Sequence, residues 1–269
     1  MTPAALRRRP AAVAGTFYPG DRDVLVATVD GLLDAAPAWR GPTPKALVVP
    51  HAGYVYSGPI AATGYATLRA ARGRVSRVVL LGPAHNVAVR GLAASSVDAF
   101  STPLGDLPID ADARSAALEL PGVLVDDAAH AREHSLEVHL PFLQRVLGEQ
   151  VPIVPFVVGQ ASPESVASVL DLLWGGDETV VVVSSDLSHY LDHASATVRD
   201  RHTADVISTG TIDALRPDDA CGAYPVRGLL VAATRHGLHT TVLDVRNSGD
   251  TAGPRDRVVG YGAFALTAA

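Results

Sequence analysis

The sequence predicts an α/β domain of three layers, α/β/α, around a central mixed, largely parallel sheet. Three observations carry this. Short valine-rich runs recur along the chain without strict apolar–polar alternation, the pattern of strands covered on both faces. The longer segments between them space their apolar residues as helices do. No linker, charge block or internal repeat divides residues 1–269, so one domain is expected.

The elements follow in order. ALVVP (46–50) is the first apolar run, and a helix is expected over 57–71. RVVLLGP (77–83) is the next strand. STPLGDLPID (101–110), with its prolines and aspartates, predicts a loop or an edge hairpin. SLEVHLPFLQRVL (135–147) predicts a helix and PIVPFVV (152–158) a strand. The helix expected over 163–174 has a clear start: Ser162 to cap it, Pro163 in its first turn and Glu164 as an early acid. ETVVVVSSD (178–186) is a valine-rich strand, followed by helices over 194–209 and 226–237. TTVLDV (240–245) and RVVGYGAFAL (257–266) complete the strands.

Composition excludes several function classes. The chain is 48% hydrophobic and 19% charged, ordinary values for a globular protein. A net charge of −6 argues against binding nucleic acid through phosphate neutralisation. No apolar run approaches the roughly 20 residues of a membrane span. The basic start, MTPAALRRRPAAVAGTFYPG, lacks the apolar core of a signal peptide and is read as neither leader nor anchor. With one cysteine, Cys221, no intrachain disulfide can form, so a cytoplasmic location is expected.

In open α/β sheets, binding sites gather beyond the carboxyl ends of strands. Three runs end there in histidine. VVPHAGYVYSG (48–58) carries His51, LLGPAHNVAV (80–89) carries His85 and Asn86, and VVVVSSDLSHY (180–190) carries Asp186 and His189. One such histidine is more often a satisfied core or surface residue. Three placed alike point to metal binding or acid–base chemistry.

AHAREHSLEVHL holds His130, His134 and His139 with Glu133 and Glu137. A helical zinc motif needs histidines four apart, and His134 and His139 are five apart, so they fall on different faces. His134, at the expected helix start beside Glu133, is the better site candidate. His139 is expected to pack and His130 to sit on a loop. His193, His202, His236 and His239 have no neighbours that single them out.

DDACGAYPVRG (218–228) places Cys221 in a Gly/Pro loop ahead of a helix, where amide groups favour a thiolate. An isolated cysteine is more often an inert core residue. A thiolate with two neutral imidazoles, however, is a ligand set suited to iron, zinc or copper. There is no GxSxG elbow, and Ser184, Ser185, Asp186 and His189 stand too close together on one segment to form a triad. Dinucleotide and phosphate-loop fingerprints are also missing.

Taken together, AVAGTFYPG (12–20), VVPHAGYVYSG, LLGPAHNVAV, SSVDAFSTPLGDLPID (95–110), EHSLEVHLPFLQ (133–144), VVSSDLSHY and CGAYPVRG resemble the Memo family across nearly the whole chain. That family is known in bacteria and archaea as protein B of the AmmeMemoRadiSam system. It resembles class III, LigB-type extradiol dioxygenases in fold, enzymes that hold non-haem iron.

The resemblance implies roles for named residues. His51, His85 and Cys221 would be metal ligands, for Fe(II) first and for copper or zinc as alternatives. His189 would be the general base, and His134 a further active-site histidine. Asp186 would orient His189 or hydrogen-bond a metal-bound species. Tyr54 and Tyr56 would line the cleft mouth, with Asn86 and Glu133 contacting substrate. The functions implied are an O₂- or redox-dependent enzyme, a metal-binding or chaperone component working with radical SAM and AMMECR-type proteins, or a peptide-binding module. The ligand would be a small molecule or a peptide.

Overall fold

The computed structural model describes residues 6–268; the first residues of the basic N-terminal segment and Ala269 lie outside the described residues. The valine-rich runs form the centre of a nine-stranded mixed sheet. Strands Ala46–Val49, Thr179–Ser184, Arg77–Pro83 and Ile153–Val158 lie side by side in that order, all parallel. Antiparallel strands flank them. Val258–Ala268 adjoins Ala46–Val49, and Leu92–Ala94 adjoins Ile153–Val158. The sheet is therefore mixed, with its continuous parallel run at the centre.

Strand residues alternate between two cores, as the pleat requires. Leu47, Val49, Leu80 and Val182 pack on the side of helices Arg22–Ala35 and Tyr54–Ala66. Val48, Leu81, Val181 and Val183 face helices Pro163–Leu172 and Ala223–Arg235. Both faces are covered, which explains why these strands carry no polar face.

The pairing of Val258–Ala268 creates the crevice. Leu238–Asn247 occupies one edge from Ala268 down to Gly260. The other edge is shared. Ala46–Val49 pairs with Phe264–Leu266, and Asp186–Leu191 pairs with Val258–Tyr261. The first strand leaves this slot at Pro50, which has no amide hydrogen to donate. Asp186 enters where it leaves, and Ser185 N–H bonds the Val49 carbonyl at 2.9 Å.

Several expectations change. ETVVVVSSD breaks at Ser185 into Thr179–Ser184 and Asp186–Leu191, so His189 stands on a strand and not on a loop. The helix expected over 135–147 is two short pieces, His134–Glu137 and Leu140–Val146. Pro141 lacks the amide that would bond the Glu137 carbonyl, and the helix is interrupted there. The helix expected at 57 starts at Tyr54 and ends at Ala66. Residues 101–110 fall in the hairpin Ala99–Thr102/Gly105–Pro108, with Arg8–Arg9 as a third strand beside it. Helix Arg22–Ala35, capped by the Asp21 carboxylate, was not predicted. No helix among the described residues is long and apolar enough to cross a membrane.

Candidate metal centre and cleft

Three segments meet at the carboxyl end of the central strands. His51 follows the strand that ends at Val49, and His85 follows the one that ends at Pro83. Cys221 arrives from the other side, ahead of helix Ala223–Arg235. Its approach needs Gly222: a Cβ there would stand 2.4 Å from the Ser184 carbonyl oxygen and 2.6 Å from Ser185 Cβ. One donor atom each from His51, His85 and Cys221 lies within 4.8 Å of the others. His51 Nε2 is 3.4 Å from Cys221 Sγ. Nitrogen and sulfur donors sit roughly 2.0–2.3 Å from a shared transition metal, so a set this close fits one ion after slight contraction.

Each donor is held from behind. The Glu133 carboxylate accepts the His85 backbone N–H at 2.7 Å and its Nδ1–H at 2.9 Å, which leaves His85 Nε2 free. His51 Nδ1 lies 2.6 Å from Ser184 Oγ, so Nε2 is again the open nitrogen. The His51 backbone N–H donates to Asp186 Oδ1 at 2.8 Å. Asp186 N–H points at Cys221 Sγ, 3.3 Å away, and its carbonyl accepts the Cys221 N–H at 3.2 Å.

Burial sets the protonation of the cluster. Burial, reinforced by Asp186, raises the Cys221 thiol well above its ordinary range. Burial also holds His51 far below the usual imidazole value, so it is neutral. Burial opposes ionisation of Glu133, but its hydrogen bonds to His85 and to backbone amides win and pull it down to about 2. Asp186 is pushed up to about 7 by burial, against the pull of the His51 amide. A bound metal ion would favour the thiolate and keep the imidazoles unprotonated.

Beside the centre opens a cleft of about 380 Å³, lined by Phe17, Tyr56, His134, Asp186, His189, Tyr190, Arg257 and Tyr261 among others. His134 joins the two regions: its ring centroid is 4.7 Å from that of His85 and 5.5 Å from that of His51. His189 Nδ1–H donates to the Leu187 carbonyl at 2.8 Å, which leaves Nε2 as a free acceptor. Burial lowers the His189 pKa, so the ring is unprotonated at neutral pH. A larger concavity of about 470 Å³ lies at the opposite end of the sheet, but the amine of Lys45 there is taken up by carbonyls of Gly176 and Thr179.

A family model described as "Memo-like protein" matches residues 9–265. The chain belongs to the Memo family. Among its relatives is a MEMO1 family protein of Methanopyrus kandleri, 37% identical over 95% of this chain and 98% of that one. Another, from Aeropyrum pernix, is 36% identical over 96% of this chain and 99% of that one. A third, from Aquifex aeolicus, is 35% identical over 95% and 98%. An uncharacterized protein of Escherichia coli K12 has a similar solved structure, with a TM-score of 0.53 over 83% of this chain and 99% of that one. At 14% identity it shows the shared fold alone.

Within this Memo-family fold, His51, His85 and Cys221 come together beside a cleft that His134, Asp186, His189 and Tyr56 line. Four details differ. Tyr54 does not line the cleft: it is 5% exposed, and its hydroxyl donates to the Val138 carbonyl inside the core. Glu133, 1% exposed, supports His85 and has no face left for substrate. Asn86 donates to the Arg132 carbonyl and to Glu133, bracing the same loop. Asp186 bonds the His51 amide, while the Leu187 carbonyl, not Asp186, holds the His189 ring.

Two further corrections concern the other histidines. His130 is buried on helix Asp127–Ala131, not on a loop, and bonds the Ala93 carbonyl. His139 does more than pack: its Nε2 is 2.8 Å from Ser184 Oγ, one link from His51. The break at Pro141 was the signal that could have detached His139 from the helical arithmetic. Nothing local marked Phe17, Arg257 or Tyr261 as cleft residues.

Proposed function

We propose that this Memo-family chain binds one redox-active metal ion, Fe(II) first, through His51, His85 and Cys221, and acts as an oxidoreductase on a small molecule in the adjoining cleft. One observation carries the reading. Three donors from three separate segments converge, and the two imidazoles already direct Nε2 inward because Ser184 and Glu133 occupy Nδ1. When bound, iron would supply redox chemistry and Lewis acidity toward an oxygen-bearing substrate.

The chain's own residues provide the rest. Glu133 and Ser184 orient the imidazoles. His189 Nε2, open to the cleft and unprotonated, is the group that takes a proton from substrate. His134 forms the wall between metal centre and cleft. The cleft's volume suits a small molecule better than a peptide segment.

A second reading has its own support. A thiolate ligand is open to oxidation during O₂ chemistry, which favours a chain that holds metal without turning over, as a chaperone or as a partner of radical SAM and AMMECR-type proteins in the cytoplasm. Copper or zinc would serve that role as well as iron. O₂ uptake by metal-loaded protein separates the two readings.

The deciding experiment is metal content after purification without oxygen, wild type beside Cys221→Ser. Near one iron per chain in wild type and little in the variant supports the site. No metal in wild type, and none acquired on adding Fe(II), removes the reading.

A further inference from the structure

We propose that Arg257 anchors a small organic carboxylate with a planar apolar body in the cleft beside the candidate metal centre. The proposal names the ligand class for that cleft and rests on its being the substrate site of the function proposed above.

Arg257 is the one lysine or arginine among the described residues that line the cleft. Its guanidinium lies over the Tyr190 ring, 4.4 Å from the centroid. Stacking of this kind uses the flat face of the guanidinium and leaves its in-plane N–H donors unspent. Among the described residues, nothing accepts from them. The neighbouring arginines differ: Arg246 is paired with Asp244, and Arg255 donates to the Gly249 carbonyl. A planar fork of free donors at the mouth of a cleft matches a carboxylate in two parallel hydrogen bonds. A phosphate would call for more donors than this single side chain offers.

The platform under Arg257 is itself unusual. Tyr190 has φ of 65°, and it is the one non-glycine residue with positive φ among those described. The residue is 63% exposed, so no core packing explains that conformation. Strain of this kind clusters at binding and catalytic sites. Here it follows directly on His189 and sets the ring beneath Arg257.

The walls give the rest of the ligand's shape. Phe17, Tyr56 and Tyr261 face the cleft with Tyr190, and about 380 Å³ is room for one substituted ring. Asp186 also lines the cleft, but one carboxylate oxygen is committed to the His51 amide. An anion seated on Arg257 would place its apolar body along these rings toward His134 and His189.

The test uses metal-free protein with benzoate and its neutral isostere benzamide, read by calorimetry and ligand-observed NMR. Benzoate should bind wild type, and Arg257→Gln should weaken it at least tenfold. Benzamide should bind both more weakly than benzoate binds wild type, and alike. Arg257 is exposed, so an unchanged melting temperature will confirm that the variant folds. Equal benzoate binding by the two proteins, no benzoate binding by wild type, or benzamide binding as tightly as benzoate would each overturn the proposal. Metal content measured on the same samples keeps the two ideas apart. Metal-binding protein that ignores benzoate sinks only this inference; Arg257-dependent benzoate binding by protein that takes up no metal sinks only the metal centre.

Discussion

The Ser184 hydroxyl lies 2.6 Å from Nδ1 of His51, and on its other side it meets His139 Nε2 at 2.8 Å. A hydroxyl has one proton to give. If His51 is to present an unprotonated Nε2, its Nδ1–H donates to Ser184, and Ser184 donates onward to His139. All three residues are buried. Ser184→Ala is therefore expected to lower metal affinity by about 10–100-fold, the usual cost of losing such a support, while leaving stoichiometry near one. Competitive titration against a chelator measures it.

Glu133 does for His85 what Ser184 does for His51, with a charge added. Glu133→Gln keeps an acceptor for one N–H but loses the anion that accepts from the His85 ring, the His85 amide and the Ser135 amide. The expected result is at least about tenfold weaker metal binding and a drop in stability of about 1–3 kcal/mol. Chemical denaturation of the metal-free variant checks the second part. A variant that binds metal like wild type would remove Glu133 from its assigned role.

Buried histidines make metal-free protein sensitive to acid. Burial holds His130 down to about 4 and His139 down to about 3. The unfolded chain protonates these rings near pH 6.5, whereas the folded chain resists. The unfolded state then carries more protons, so stability falls as pH drops below about 6.5. Asp186 works the other way: raised to about 7, it favours the fold more at pH 4 than at pH 7. The histidines outnumber it, and a net loss toward pH 4.5 is expected in melting experiments. His130→Gln, at a residue outside the candidate metal set, should flatten that loss.

Glu137 ties the N-terminal segment to the site. Fully buried, it accepts from the Arg9 guanidinium, from the Tyr18 hydroxyl at 2.6 Å and from the amides of Ala12 and Val13. Removing one side of such a pair leaves a buried charge uncompensated. Glu137→Ala is expected to cost about 3–5 kcal/mol, read by urea unfolding. Phe17, whose ring centroid stands 4.7 Å from that of His134, belongs to the segment released, so protease cleavage near residues 12–20 should rise as well.

Strand composition made the fold legible: valine runs without alternation need cover on both faces, and both cores are there. The meeting of His51, His85 and Cys221 was legible too, because His51 and His85 stand at strand ends and Cys221 precedes a helix. What stayed hidden was set by tertiary approach. The role of Glu133 depends on its being folded under the 82–86 loop, and nothing local to either segment reveals that. Tyr54 and Tyr56 look alike in VVPHAGYVYSG, yet two positions along a helix turn one into the core and the other to the cleft. The step at Ser185 was invisible because VVVVSSDLSHY reads as one run leaving the sheet.

That step has a consequence for how this region tolerates changes in length. Asp186 enters the slot that Ala46–Val49 vacates, and within two turns of the pleat it has bonded the His51 amide, met Cys221 through both its amide and its carbonyl, and set His189 facing the cleft. The pairing with Val258–Ala268 shifts register between Asp186 and His189, which lets two residues three apart share the cleft, so one residue inserted between Ser184 and His189 would undo that spacing. The stretch 252–256, mostly exposed and outside the strands, has no such ruler. Insertion scanning should find the first segment intolerant of even one added residue, and the second permissive.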